Sequence, residues 1–239
     1  MIHSSVRHVV WFSCGAASAI TAKIVLGEHP DAHLVYCDTG GEHEDNVRFR
    51  RDVERWLNKD VVVLRSDKYE DHFDVYRKTR YINGTAGARC TAELKKVLRF
   101  RYQQPDDIQY FGYTVEEKGR ASRFVESFPE VNARFPLMER GIKKKDCVGL
   151  LLNVGIEIPK MYKLGFNNNN CIGCCKGGKG YWNKVRKVFP AHFKEMAEIE
   201  RDVGASCING TFLDELDPKA GRHEDFIIEC DFVCQTMET

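Results

Sequence analysis

Short apolar, β-branched runs alternate along this chain with longer stretches whose apolar residues recur at helical spacing. "HVVWFS" (His8–Ser13), His33–Cys37, "DVVVL" (Asp60–Leu64) and "IQYFG" (Ile108–Gly112) read as buried strands. Between them, "CGAASAITAKIVLGEHP" predicts a helix ending near Gly27 and Pro30. Glu42–Leu57 predicts a second, with Val47, Trp56 and Leu57 turned inward, and "CTAELKKVLRFRY" (Cys90–Tyr102) a third. Lys143–Val154 and a long Gly180–Asp202 follow as helices, and from Gly204 on the pattern is irregular. Strands that alternate with helices need crossover connections, so the fold class is α/β: an open parallel sheet with helices on both faces. A C-terminal cysteine-containing lobe completes it. The expected division is a nucleotide-binding domain over 1–165. The cysteine-rich loop, long helix and tail over 166–239 pack on the same domain.

Composition narrows the class. A 43% hydrophobic and 30% charged chain is that of a globular protein, and a net charge of +1 argues against a uniformly basic nucleic-acid binder. No run is long enough to span a membrane, and the N-terminus has no apolar signal core, so a cytoplasmic location is expected. In that compartment ten cysteines point to metal binding or redox chemistry ahead of disulfides.

Candidate chemistry gathers at two places. "FSCGAASA" lies after the first strand and at a helix N-terminus, where an open α/β sheet binds anions. Gly15, Ala16 and Ala17 leave room for a phosphate, and Ser13 and Ser18 add hydroxyls; the alternative is a tight turn with no ligand. Asp38, with Thr39 and Gly40 in "DTGG", ends the second strand, where an acid commonly meets a ribose or adenine edge. The other place is "NNNNCIGCCKGGKGYW". Cys171 and Cys174 are spaced to face one metal from a turn that Gly173 permits. Cys90, at a helix start beside Arg89, is the best distant partner. A structural zinc, or thiols with no ligand at all, remain open readings. "GCCKGGKG" mimics a phosphate loop but ends in Gly180 instead of Ser or Thr and follows no strand, so it is rejected as one. Lys176 and Lys179 there suit an anionic substrate or the charge of a cluster.

Taken together, "FSCGAASA", "CDTGGEHEDNVRF", "RCTAELKK", "GYTVEEKGRASR", "FPLMERG" and "CIGCC" resemble the phosphoadenosine phosphosulfate (PAPS) reductase family, in the adenine-nucleotide α-hydrolase superfamily that includes the PP-loop ATP pyrophosphatases. The resemblance covers roughly Val9–Trp182. It implies an adenine nucleotide (PAPS, adenylyl sulfate or ATP) on the first loop, and Glu117, Arg120 and Arg123 meeting its phosphate or sulfate. It also implies a [4Fe–4S] cluster on Cys90, Cys171, Cys174 and Cys175, with Thr91 standing where a further cysteine ligand is usual. Cys230 stands where the family carries a sulfur-accepting nucleophile, but no Gly or His follows it as the motif requires, and Cys230 or Cys234 are alternative cluster ligands. Ala17 replaces the loop acid, and no lysine stands at Ala16, which counts against ATP splitting. The implied activity is sulfonucleotide reduction or sulfur transfer, with a thioredoxin-like reductant as partner. The alternatives are an ATP-dependent sulfurtransferase acting on nucleic acid, and a non-catalytic nucleotide- and cluster-binding module.

Overall fold

The computed structural model describes residues 6–85 and 87–222. Five strands form one sheet in the order β3-β2-β1-β4-β5: β1 is His8–Trp11, β2 His33–Asp38, β3 Val61–Arg65, β4 Ile108–Phe111 and β5 Asn132–Arg134. Every pairing is parallel. The α/β expectation is met. The short edge strand β5 had no visible alternation in sequence because only three residues pair.

Strand periodicity of two sends alternate residues to opposite faces. Val10, Phe12, Leu34, Tyr36 and Tyr110 enter one core with helices α1 (Ala16–Glu28), α2 (Asn46–Leu57) and Cys147, Val148 and Leu151 of a later helix, Lys144–Asn153. On the other face Trp11 meets Tyr102, and Phe111 meets Phe124 at 4.5 Å. In α2 the inward residues are Phe49 and Val53, whereas Val47 is exposed, a correction to the sequence expectation. Trp56 and Leu57 do pack against the core.

Helix α3 is His72–Thr79. Helix α4 comprises Arg89–Thr91 and Val97–Tyr102 around a π-helical turn at Ala92–Lys96, a local widening frequent at functional sites. Helix α5 is Lys118–Ser127 and α6 is Lys144–Asn153. The expected long helix is two, α7 (Lys179–Val188) and α8 (Pro190–Val203), because Pro190 has no N–H to continue α7 and sits in the first turn of α8. A second core joins Phe73, Tyr76 and Leu94 to Phe166, Ile172, Trp182 and Met196. It lies beneath the cysteine loop and draws on segments from both sides of residue 165. Among the described residues no helix is long and apolar enough to cross a membrane.

Candidate functional site

Strand order reverses its direction of growth between β1 and β4, and the crevice beyond their C-terminal ends is where α/β sheets bind ligands. A pocket of ≈ 310 Å³ opens there, lined by Trp11, Ser13, Cys37, Phe111, Gly112 and Tyr113 from the strand ends. Helices α4 and α5 close it with Thr91, Lys95, Lys96, Arg99, Arg120, Phe124 and Phe128. Aromatic rings and cations together suit a nucleotide: a flat base to stack on and an anion to neutralise. Gly112 is required for the pocket's shape, since a Cβ on it would stand 2.9 Å from the Ser18 Cα and N at the start of α1.

Arg99 is the buried cation of the pocket, beside Lys95, Lys96 and Arg120. It is 8% exposed, and its Nε and Nη2 have no hydrogen-bond partner. Phe128, Phe100 and Phe124 surround the guanidinium at 4.7, 4.9 and 5.2 Å from the ring centroids. Burial draws its pKa below the usual arginine range. A buried cation with free donors is costly unless an anion pairs with it, so Arg99 is held in readiness for one. Arg120 stands over Tyr113 at 4.6 Å and bonds Glu117 at 2.6 Å. Glu117 also accepts from Thr114 N. Arg123 is exposed and does not line the pocket.

The first loop is stitched from within. Ser18 Oγ accepts from Ser13 N at 3.0 Å and Gly15 N at 3.3 Å and donates to Gly15 O at 2.9 Å. Cys14 takes a left-handed φ of 54° and is fully buried, as is Ala16. Of the loop residues expected to touch ligand, Ser13 therefore faces the pocket, while Ser18 holds the turn. Asp38 accepts from Gly40 N at 2.9 Å and, with Gly40, lines a separate cleft with Glu42 and His43. The structure does not bring it to the β1–β4 pocket.

The cysteine loop is joined to this pocket through α4. Cys90 accepts from the Tyr76 hydroxyl at 3.1 Å, and a hydrogen bond from Cys175 pushes its pKa down, helped by Tyr76, Lys176 and Lys95. The bond shared with Cys90, and burial, push Cys175 up. Burial also raises Cys171 and Cys174. One thiol of the group thus favours the thiolate while its neighbours hold their protons. Cys171 lies 3.0 Å from Thr39 Oγ1, so Thr39 supports the thiol loop. The Tyr181 hydroxyl accepts from Gly173 N at 3.0 Å and Cys174 N at 2.9 Å and donates to Cys171 O at 3.1 Å, fixing the turn. Lys95 lines the pocket and lies 3.7 Å from the buried Glu42 carboxylate. Lys95 itself is exposed, and Glu42, Cys171, Cys37 and Cys174 together raise its pKa. Glu42 is held by Tyr36 at 2.6 Å and Asn46 at 2.7 Å. Asn169 then ties Asn46 to the Cys14 carbonyl.

Four thiols with no carboxylate among them are a donor set that suits an iron–sulfur cluster or zinc. In their present rotamers, no group of three or more His, Cys, Asp or Glu among the described residues is arranged to hold a metal ion. Cys230 and Cys234 lie outside the described residues. Arg99, Glu42, Tyr181 and Asn169 were not singled out from sequence. Thr91, Lys95 and Arg99 do recur at four-residue spacing, which is the signal that could have found Arg99.

No protein-family model matches the chain. It is similar to two uncharacterized proteins of Methanocaldococcus jannaschii. One is 25% identical, over 81% of this chain and 41% of the relative, and the other 20% identical, over 81% and 47%. It is also 22% identical to the tRNA-specific 2-thiouridylase MnmA 1 of Aliarcobacter butzleri, over 93% of this chain and 66% of that protein. The chain spans about half the length of the curated relatives it matches. The relationship supported at these identities is a distant one, to the PP-loop proteins.

Proposed function

We propose that the chain is an adenine-nucleotide-dependent enzyme of sulfur transfer, with the nucleotide in the β1–β4 pocket and the sulfur chemistry at the thiols of Cys90, Cys171, Cys174 and Cys175. The observation that carries this reading is the buried, unpartnered Arg99 on α4, the helix whose first turn holds Cys90. In this proposal Arg99, Lys95 and Arg120 hold the phosphate or sulfate, and Trp11, Tyr113 and Phe124 offer faces to the adenine. The Cys90 thiolate, maintained by Tyr76 and Cys175, is the candidate nucleophile. The distant similarity to a tRNA thiouridylase supports ATP-dependent sulfur transfer to a nucleic acid. A [4Fe–4S] cluster, or zinc, belongs to the proposal through its donor set. In a metal-bearing form Cys90, Cys171, Cys174 and Cys175 would hold it instead, with Cys171 off Thr39 and Cys90 off Cys175, and the metal site, in place of a free Cys90 thiolate, would supply a soft site for sulfur.

A second reading, PAPS reduction with a thioredoxin-like reductant, is favoured by the first loop. Ala17 stands where ATP-splitting relatives of the superfamily usually carry an acid, and the pocket's cations need only an oxyanion. Anaerobic protein should be assayed for pyrophosphate release from ATP, and for adenosine bisphosphate and sulfite from PAPS with reduced thioredoxin. Pyrophosphate release from ATP that depends on an added RNA acceptor, with sulfur incorporation into that RNA lost in Cys90→Ser, supports sulfur transfer, and PAPS turnover supports the second reading. Absence of both with tight nucleotide binding would show a non-catalytic module. Iron and labile-sulfide analysis of the same sample tests the cluster, and one equivalent of zinc would replace it.

A further inference from the structure

On the far side of the cysteine loop lies a second and larger cleft of ≈ 510 Å³, which shares no lining residue with the β1–β4 pocket. Lys176, Lys187 and Arg222 supply its charge, and among the described residues no carboxylate lines it. Helix α7 begins in its wall, with Gly178 at the N-cap and no side chain capping the turn. A Cβ on Gly178 would meet nothing within 4 Å, so the backbone there is open. Unpaired N–H groups and the helix dipole favour an anion at such a place.

A second observation says more about the ligand. Asn183, 1% exposed, lines the same cleft. Its Nδ2 donates to Asp217 O at 2.9 Å and Ala220 O at 2.8 Å, which fixes the amide, and its Oδ1 has no partner among the described residues. An orphaned acceptor is not satisfied by a bare anion. The occupant must bring both negative charge and a hydrogen-bond donor, as a nucleotide does through its phosphate and its ribose hydroxyl or base N–H. Lys176, Lys187 and Arg222 are spread along the lining, so several phosphates in a row fit it better than one. Cys174 lies on the same lining, bringing the strand to the thiols.

We propose that this cleft binds single-stranded RNA and presents the sulfur acceptor to the cysteine loop, an assignment that rests on the sulfur-transfer reading above. The test is fluorescence anisotropy of the full chain with a short, labelled, mixed-sequence single-stranded RNA across a salt series. Binding should weaken with salt, and Lys176→Gln/Lys187→Gln should weaken it roughly tenfold at low salt. It should also reduce the salt slope by about 1.4, that is about 0.7 for each phosphate no longer neutralised. Both lysines are exposed, so the fold should survive, and ATP affinity at the other pocket should not change. Asn183→Ala should weaken binding with the slope unaltered. RNA that fails to bind at low salt, or that binds the double variant with the same affinity and slope, overturns the assignment. So does displacement of the RNA by AMP at concentrations matching its nucleotide content, which would show a mononucleotide site. Lysine-dependent RNA binding without sulfur transfer supports the cleft and overturns only the parent reading.

Discussion

Replacing Arg99 with Met should weaken ligand affinity while leaving the stability of the ligand-free protein nearly unchanged. The methionine keeps an unbranched apolar stem among Phe100, Phe124 and Phe128 but removes a guanidinium whose Nε and Nη2 are buried without partners. Each unsatisfied buried donor costs roughly 1–3 kcal/mol, so two cost about 2–6 kcal/mol in the ligand-free protein. Against this stand three cation–ring interactions, worth from roughly 0.5 to about 2 kcal/mol each once desolvated, so about 1.5–6 kcal/mol together. The two contributions nearly cancel, and the ligand-free variant should stay within about 2 kcal/mol of the parent. At about 2–4 °C per kcal/mol in a chain of this size, the melting temperature should shift by no more than about 8 °C. Affinity should fall, because a hydrogen bond to a charged group contributes roughly 1.5–3 kcal/mol, or about 10- to 150-fold in Kd. Urea unfolding without ligand, and calorimetric titration with ATP and PAPS, read the two effects separately. A variant that loses more stability than this and binds both nucleotides unchanged would refute the argument, making Arg99 a packing residue.

Three further expectations follow from the same geometry. Tyr181→Phe removes the hydroxyl that joins Gly173 N, Cys174 N and Cys171 O, and should lower stability by about 1–3 kcal/mol while Cys174 alkylates faster. Gly112→Ala places a methyl 2.9 Å from the backbone of Ser18; it should cost about 1–3 kcal/mol and weaken nucleotide binding, read by urea midpoint and titration. Burial holds His72 neutral, with its pKa lowered from 6.5 to about 4. The unfolded chain therefore takes up a proton first as pH falls. Stability should drop by about 3 kcal/mol between pH 6.5 and 4, an interval in which His72→Phe should show a smaller loss.

The strands were legible because four of them are short apolar runs between clear breakers, although β3 proves largely exposed, and the switch point then placed "FSCGAASA" without further information. What escaped the sequence was decided by packing. Pro190 lay inside an otherwise helical period, and β5 offers too few residues for a pattern. Val47 shares apolar character with Phe49, yet only the latter faces the core. At the candidate site, spacing pointed to Cys171 and Cys174, a helix start to Cys90 and the family resemblance to Cys175 and Arg120; of the first-loop residues Ser13 is the one that lines the pocket. Asp38 and Arg123 were not brought to the pocket, since Asp38 closes its own turn and Arg123 stays exposed. Arg99 was hidden in "VLRFRY", where an arginine between Leu98 and Phe100 looks like a surface residue until α5 covers it. The asparagine run had no assigned role, and Asn169 proves to tie the cysteine loop to the first loop through Asn46 and the Cys14 carbonyl.

The central claim is that the nucleotide binds between β1 and β4, on the helix that begins with Cys90. A crystal structure of the protein with a non-hydrolysable ATP analogue tests it most directly. The account predicts the phosphates within hydrogen-bond distance of Arg99 and Lys95, with the adenine against the aromatic wall at Trp11 and Tyr113. Phosphates seated instead in the cleft of Lys176 and Lys187, with Arg99 still unpartnered, would contradict it.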